Sequence, residues 1–73
     1  MHQSCTLYVV VRTDVSDDCE RLIVVPDGDE RVITPPSDFQ RTARRAVAFQ
    51  RGTDPNRERY NFCVAHYENH KAA

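Results

Sequence analysis

At 73 residues, with 40% apolar and 29% charged side chains and a formal net charge of −1, the chain has the make-up of one folded domain, not of a disordered tail. No apolar run approaches the roughly 20 residues that a bilayer span requires, and no cationic start precedes an apolar stretch, so neither a membrane segment nor secretion is expected. The near-neutral total is also far from the strongly basic balance of a typical nucleic-acid-binding domain.

In chain order, "CTLYVVVRT" (residues 5–13) reads as a first strand. Leu7, Val9 and Val11 point one way and Tyr8 and Val10 the other, and a strand apolar on both faces is expected to be central. "DVSDDCE" (14–20) follows as an acidic loop and "RLIVVP" (21–26) as a short second strand. Val25-Pro26-Asp27-Gly28 is a turn sequence: proline presets φ at the first central position, and Gly28 tolerates φ > 0. A hairpin into a third strand, "RVIT" (31–34), is expected, stopped by Pro35 and Pro36.

Ser37, with Gln40 three residues later, reads as a helix N-cap and capping box. The helix is expected over residues 37–51, ending at Gly52 and Pro55. At about 100° per residue, Phe39, Ala43, Ala46, Val47 and Phe49 form its inner arc, and Arg41, Arg44, Arg45 and Arg51 the outer one. "RYNFCVAHY" (59–67) is the last strand, with Tyr60, Phe62, Val64 and His66 on one face and Asn61, Cys63, Ala65 and Tyr67 on the other. The reading is an α+β fold, one small domain over 1–73, with a three- to four-stranded mixed or antiparallel sheet and one helix in the order β-β-β-α-β. Residues 68–73 are expected to fray. Beginning at Met1, the chain is expected to be a complete small reading frame.

Cys5, Cys19 and Cys63 are odd in number and match no disulfide framework, so three free thiols in a reducing compartment are expected. Cys63, His66 and His70, with His2 and Cys5, superficially resemble half of a zinc site. On a strand, however, residues three apart face opposite ways, so no metal is expected. Asp14, Ser16 and Asp18 imitate the start of a calcium loop, but Cys19 and Val25 stand where glycine and a bidentate glutamate are required. No nucleophile turn is present, and two glycines, Gly28 and Gly52, cannot build a phosphate-cradling loop. Neither catalysis nor a cofactor is expected.

The charge layout remains. Residues 14–30 hold seven acids against Arg21, a net of −6, and residues 39–59 hold six arginines against Asp54 and Glu58, a net of +4. The molecule is therefore bipolar. Three readings of that polarity stay open: a solvated helix surface loosely paired with the protein's own acids, a nucleic-acid-binding face, or a protein–protein surface. The last is preferred, because the acidic stretch would repel a phosphate backbone and arginine is a common interface anchor. The candidate partner-binding residues are Arg41, Arg44, Arg45 and Arg51 on the helix, and Asp17, Asp18 and Glu20 in the loop.

From "MHQSCTLYVVV" to "YENHKAA", the whole chain resembles, in size, overall character and arginine-rich usage, the small RNA polymerase-binding regulators of lytic Xanthomonas phages. The resemblance implies a non-enzymatic protein of the bacterial host's cytoplasm, expected as a monomer, which binds bacterial RNA polymerase rather than specific DNA or RNA. It implies displacement of the σ factor, arrest of host transcription initiation, and antitermination. It assigns no functional residue. An anti-CRISPR-type inhibitor of a host defence complex is the alternative.

Overall fold

The computed structural model describes residues 6–68. Three strands and one helix make the α+β fold: β1 (Leu7–Asp14), β2 (Ile23–Val25), α1 (Gln40–Thr53) and β3 (Tyr60–Tyr67). The sheet is mixed, with spatial order β1-β3-β2. β3 runs antiparallel to β1, from Leu7↔Tyr67 to Asp14↔Tyr60, and parallel to β2, from Ile23↔Ala65 to Val25↔Tyr67. The central strand is thus β3, not β1 as its two-sided apolar pattern suggested.

The β1 pattern has a different cause. Its outer edge is covered by an irregular segment that acts as a partial fourth strand. Arg12 and Ile33 donate backbone N–H groups to Arg31 and Val10 carbonyls at 2.9 Å, and Tyr8 and Ser37 exchange backbone bonds at 2.8 and 2.9 Å. Prolines 35 and 36 have no N–H to contribute. Nearby, the Thr34 hydroxyl accepts the Val10 N–H at 2.9 Å. "RVIT" therefore lies beside β1 and does not form the expected hairpin with β2. Two successive turns, closed by Asp29 N–H to Pro26 C=O and Val32 N–H to Asp29 C=O, carry the chain across. Gly28, at φ 87°, supplies the left-handed position of the first.

Both sheet faces are buried. On one, Val10 and Phe62 pack against Ala43 and Val47 of α1, with Tyr8, Ala46, Tyr60 and Val64 around them. On the other, Val9, Val11, Val25, Cys63 and Ala65 form a second cluster covered by Cys19 and Val32 from the connecting segments. The strand faces agree with the period-two reading of β1 and β3.

The helix departs from expectation at its start. It begins at Gln40, and its N-cap is Phe39, which supplies no side-chain cap. Ser37 is occupied elsewhere: its backbone pairs with Tyr8, and its hydroxyl accepts the Phe39 N–H at 3.2 Å. Phe39 therefore precedes the helical arc and is 70% exposed. Phe49, two residues past Val47 and so about 200° around the helix, is 64% exposed. The inner face is made by small side chains, chiefly Ala43 and Val47, over Val10 and Phe62. The helix also runs through Gly52 to Thr53, and Asp54 closes it by donating its N–H to Gln50 C=O.

Cys19 and Cys63 form a disulfide with a Cα–Cα distance of 5.4 Å. This corrects the expectation of free thiols; Cys5 lies outside the described residues. Pairing residues 44 apart in sequence contributes about 4 kcal/mol in the chain-entropy treatment, comparable to the roughly 3–5 kcal/mol that a core of this size supplies.

Phe62→Ala is expected to cost about 3–5 kcal/mol and Val47→Ala about 2 kcal/mol. Phe39→Ala, by contrast, should change stability by less than about 0.5 kcal/mol. Urea-denaturation midpoints measure all three, and a Phe39 effect matching that of Phe62 would contradict the assigned inner face.

Candidate functional site

The arginines share the outer arc of α1 but line two different grooves. Arg41 and Arg45, one turn apart, border a shallow groove with Phe39 and Thr42. Arg44 and Arg51, two turns apart, line a neighbouring cleft of about 400 Å³ together with Cys19 and Glu20 of the acidic loop, Arg21 and Leu22 after it, and Phe62 and Cys63. The structure thus brings Arg44 and Arg51 to the cleft beside the acidic loop and leaves Arg41 and Arg45 on the adjoining groove.

This cleft exists because β2 is three residues long. It pairs only with Ala65, His66 and Tyr67, so the first half of β3 has no strand on that side. Arg51 takes up the Phe62 carbonyl with Nη2 at 3.0 Å, and the same nitrogen lies 3.6 Å from Cys19 Sγ. The Asn61 side-chain amide donates to the Asp17 carbonyl and lies 3.4 Å from Cys19 Sγ. Arg51 is consequently a structural donor that closes a strand edge, while its side chain stays exposed at the rim of the cleft.

The acids are also partly occupied. Asp14 Oδ1 accepts the Ser16 N–H at 3.0 Å, Asp17 Oδ1 the Cys19 N–H at 2.9 Å, and Asp18 Oδ1 the Glu20 N–H at 3.1 Å. Each is an Asx turn, in which a carboxylate folds its own backbone two residues on. Cys19 sits at φ 60°, a left-handed position uncommon for a side chain other than glycine or asparagine. The loop is thus built to place a cysteine, with Asp18 and Glu20 exposed on its outside. Among the described residues the one ion pair is Arg31–Asp29 at 2.8 Å. Among the described residues, Arg41, Arg44 and Arg45 are exposed and make no ion pair within 4 Å.

The metal constellation is divided by the sheet. Cys63 packs in the cluster away from the helix, whereas His66 stacks on Tyr8 with ring centroids 6.2 Å apart. His2, Cys5 and His70 lie outside the described residues. Donor atoms of Asp17, Cys19 and Cys63 do gather within 4.8 Å, but the two sulfurs are bonded to each other and offer no thiolate. Among the described residues, no helix is long and apolar enough to cross a membrane.

Sequence reasoning missed Phe39 and Phe49 as surface residues and Cys19 as a structural one. The helical angle between Val47 and Phe49 could have exposed Phe49; nothing local distinguishes Cys19. Compared with known proteins, the chain matches no family model, no curated sequence and no solved structure.

Arg51→Ala is expected to cost about 1 kcal/mol by leaving the Phe62 carbonyl without its donor, while Arg41→Ala and Arg45→Ala stay within about 0.5 kcal/mol of the parent; chemical denaturation of the three variants checks this. Stability should also fall in acid. Hydrogen bonding from the Arg31 guanidinium holds the Asp29 carboxyl below its ordinary range, and the Ser16 backbone N–H does the same for Asp14. A carboxylate held low in the folded state contributes stability that is complete above the unfolded carboxylate range, near pH 4, and is lost as pH falls through the folded value. Melting temperatures should therefore decline below about pH 4, and Asp29→Asn should flatten that decline.

Proposed function

We propose that the protein is a non-enzymatic, phage-encoded regulator that binds bacterial RNA polymerase, displaces the σ factor to inhibit host transcription initiation, and promotes antitermination. One observation carries the docking surface. Phe49 on α1 and Phe39 just before it are 64% and 70% exposed near Arg41 and Arg45, which have no ion-pair partner among the described residues. Aromatic and arginine side chains are the types that dominate binding energy at protein interfaces. Phe49 and Arg45 are one helical turn apart and form a single surface, whereas Arg44 and Arg51 belong to the cleft. The choice of polymerase as partner rests on the chain's resemblance to the small phage regulators and adds an identity to that surface. The site of action is then the cytoplasm of the host.

Asp18 and Glu20 give the molecule a second, acidic surface, and complementary fields of this kind speed encounter and fix orientation. The same acids disfavour a phosphate backbone, so duplex DNA is expected to bind weakly and to dissociate steeply as salt rises.

The deciding comparison is purified polymerase against duplex DNA at physiological salt. Paired reversal of Arg41 and Arg45 to Glu should abolish polymerase capture while the circular-dichroism melt is unchanged; reversal of Asp18 and Glu20 to Lys tests the acidic surface in the same assay. Tight DNA binding without polymerase binding would replace this reading with a nucleic-acid one. Capture of a host defence complex in place of polymerase would favour the anti-CRISPR-type alternative.

A further inference from the structure

The Cys19–Cys63 pair is chemically lopsided. Cys63 is 1% exposed, set among Val9, Val11, Val25 and Ala65, with the Thr13 hydroxyl 3.5 Å from its sulfur. Cys19 is half-buried on a loop at the rim of the cleft, and two nitrogen donors approach its sulfur: Arg51 Nη2 at 3.6 Å and Asn61 Nδ2 at 3.4 Å. A guanidinium and an amide beside a sulfur favour the charged thiolate, while apolar surroundings disfavour it. Reduction of the bond would therefore leave one reachable, charge-stabilised thiolate at Cys19 and one buried thiol at Cys63 directly beneath it. That is the arrangement of a nucleophilic and a resolving cysteine.

We infer that Cys19 and Cys63 form a site of reversible thiol–disulfide exchange, with Cys19 the reactive sulfur and low-molecular-weight thiols and their disulfides, of the glutathione class, its substrates. In the oxidising direction, the Cys19 thiolate attacks one sulfur of a small disulfide RSSR, whose S–S bond breaks as RS⁻ leaves. The Cys63 thiol then releases its proton to solvent and attacks the Cys19 sulfur, forming the Cys19–Cys63 bond and expelling the second RS⁻. The protein dithiol loses two electrons, RSSR gains two, and the protons appear on two RSH. The reducing direction is the reverse, with a thiol of the same class attacking the Cys19 sulfur from the cleft.

Exchange has a structural consequence. Besides the disulfide, the acidic loop is tied to β3 by the Asn61 amide, which donates to the Asp17 carbonyl and lies 3.4 Å from Cys19 Sγ, and to α1 by Arg51. Opening the bond loosens the segment that carries Asp17, Asp18 and Glu20, so the redox state sets how firmly these acids are displayed, Glu20 on the cleft of Arg44 and Arg51. This inference concerns the isolated protein and does not depend on which partner it binds.

The experiment uses the full chain with Cys5→Ser to remove the third thiol. After reduction and removal of reductant, limiting iodoacetamide at neutral pH should modify Cys19 at least about tenfold faster than Cys63, read by peptide mass mapping. Oxidised glutathione should close the Cys19–Cys63 bond, and in a further Cys63→Ser variant it should stop at a mixed disulfide on Cys19. Arg51→Met should slow Cys19 alkylation several-fold at neutral pH but not at alkaline pH, where the thiolate forms unaided, and Arg51→Lys should restore part of the rate. Hydrogen exchange at residues 15–22 should quicken on reduction while β1 and β3 stay protected. Modification of Cys63 first, equal rates at the two sulfurs, or an Arg51→Met rate unchanged at both pH values would overturn the inference.

Discussion

β3 is hydrogen-bonded along its whole length to β1 on one side, but on the other it meets only the three residues of β2. The unpaired half of that edge opens on the cleft between α1 and the acidic loop, where a part-buried carbonyl calls for a donor. Arg51 donates to the Phe62 carbonyl from the helix, the Asn61 Oδ1 accepts the Phe62 N–H at 2.8 Å, and the Cys19–Cys63 bond holds the loop beside them. The placement of the loop, the cleft beside α1 and the division of the arginines into two pairs all follow from that one short strand.

The rest of the sheet has no such gap, because irregular chain stands in for regular structure. The 31–37 segment covers the outer edge of β1 through backbone bonds and the Thr34 hydroxyl, and prevents it from acting as an open template. Cys19 and Val32 likewise cover the sheet face that the single helix cannot reach. A domain this small has one helix to bury two faces, so loops do the remaining covering and the disulfide holds the least regular of them in place.

Charge is spent on two separate tasks. Asp14, Asp17 and Asp18 fold their own loop, Asp29 pairs with Arg31 across a turn, and Arg51 completes the sheet. Arg41, Arg45 and Glu20 remain on the outside, Arg41 in a groove with the exposed Phe39 and Arg45 one turn from the exposed Phe49. The bipolar layout of the chain is therefore not one anchor surface facing another. It is a structural set and a surface set, interleaved along the same segments.

Residue pattern alone determined the α+β class, the existence of every strand and of the helix, the alternating faces of β1 and β3, the turn at Gly28 and the divergence of Cys63 from His66, because each depends on a local period or a local dihedral preference. The segregation of acidic from basic segments was equally legible. Tertiary structure decided the rest. β1 looked central because burial of a strand does not say whether a strand or a loop lies beside it. Ser37 carries a capping sequence, yet its backbone is drawn to Tyr8, so the helix starts at Gln40 and Phe39 is left outside. The Cys19–Cys63 pair, the tethering of Arg51 and the separation of Arg44 from Arg45 depend on where a three-residue strand ends beside its neighbour. That is a long-range register, which no local sequence pattern encodes.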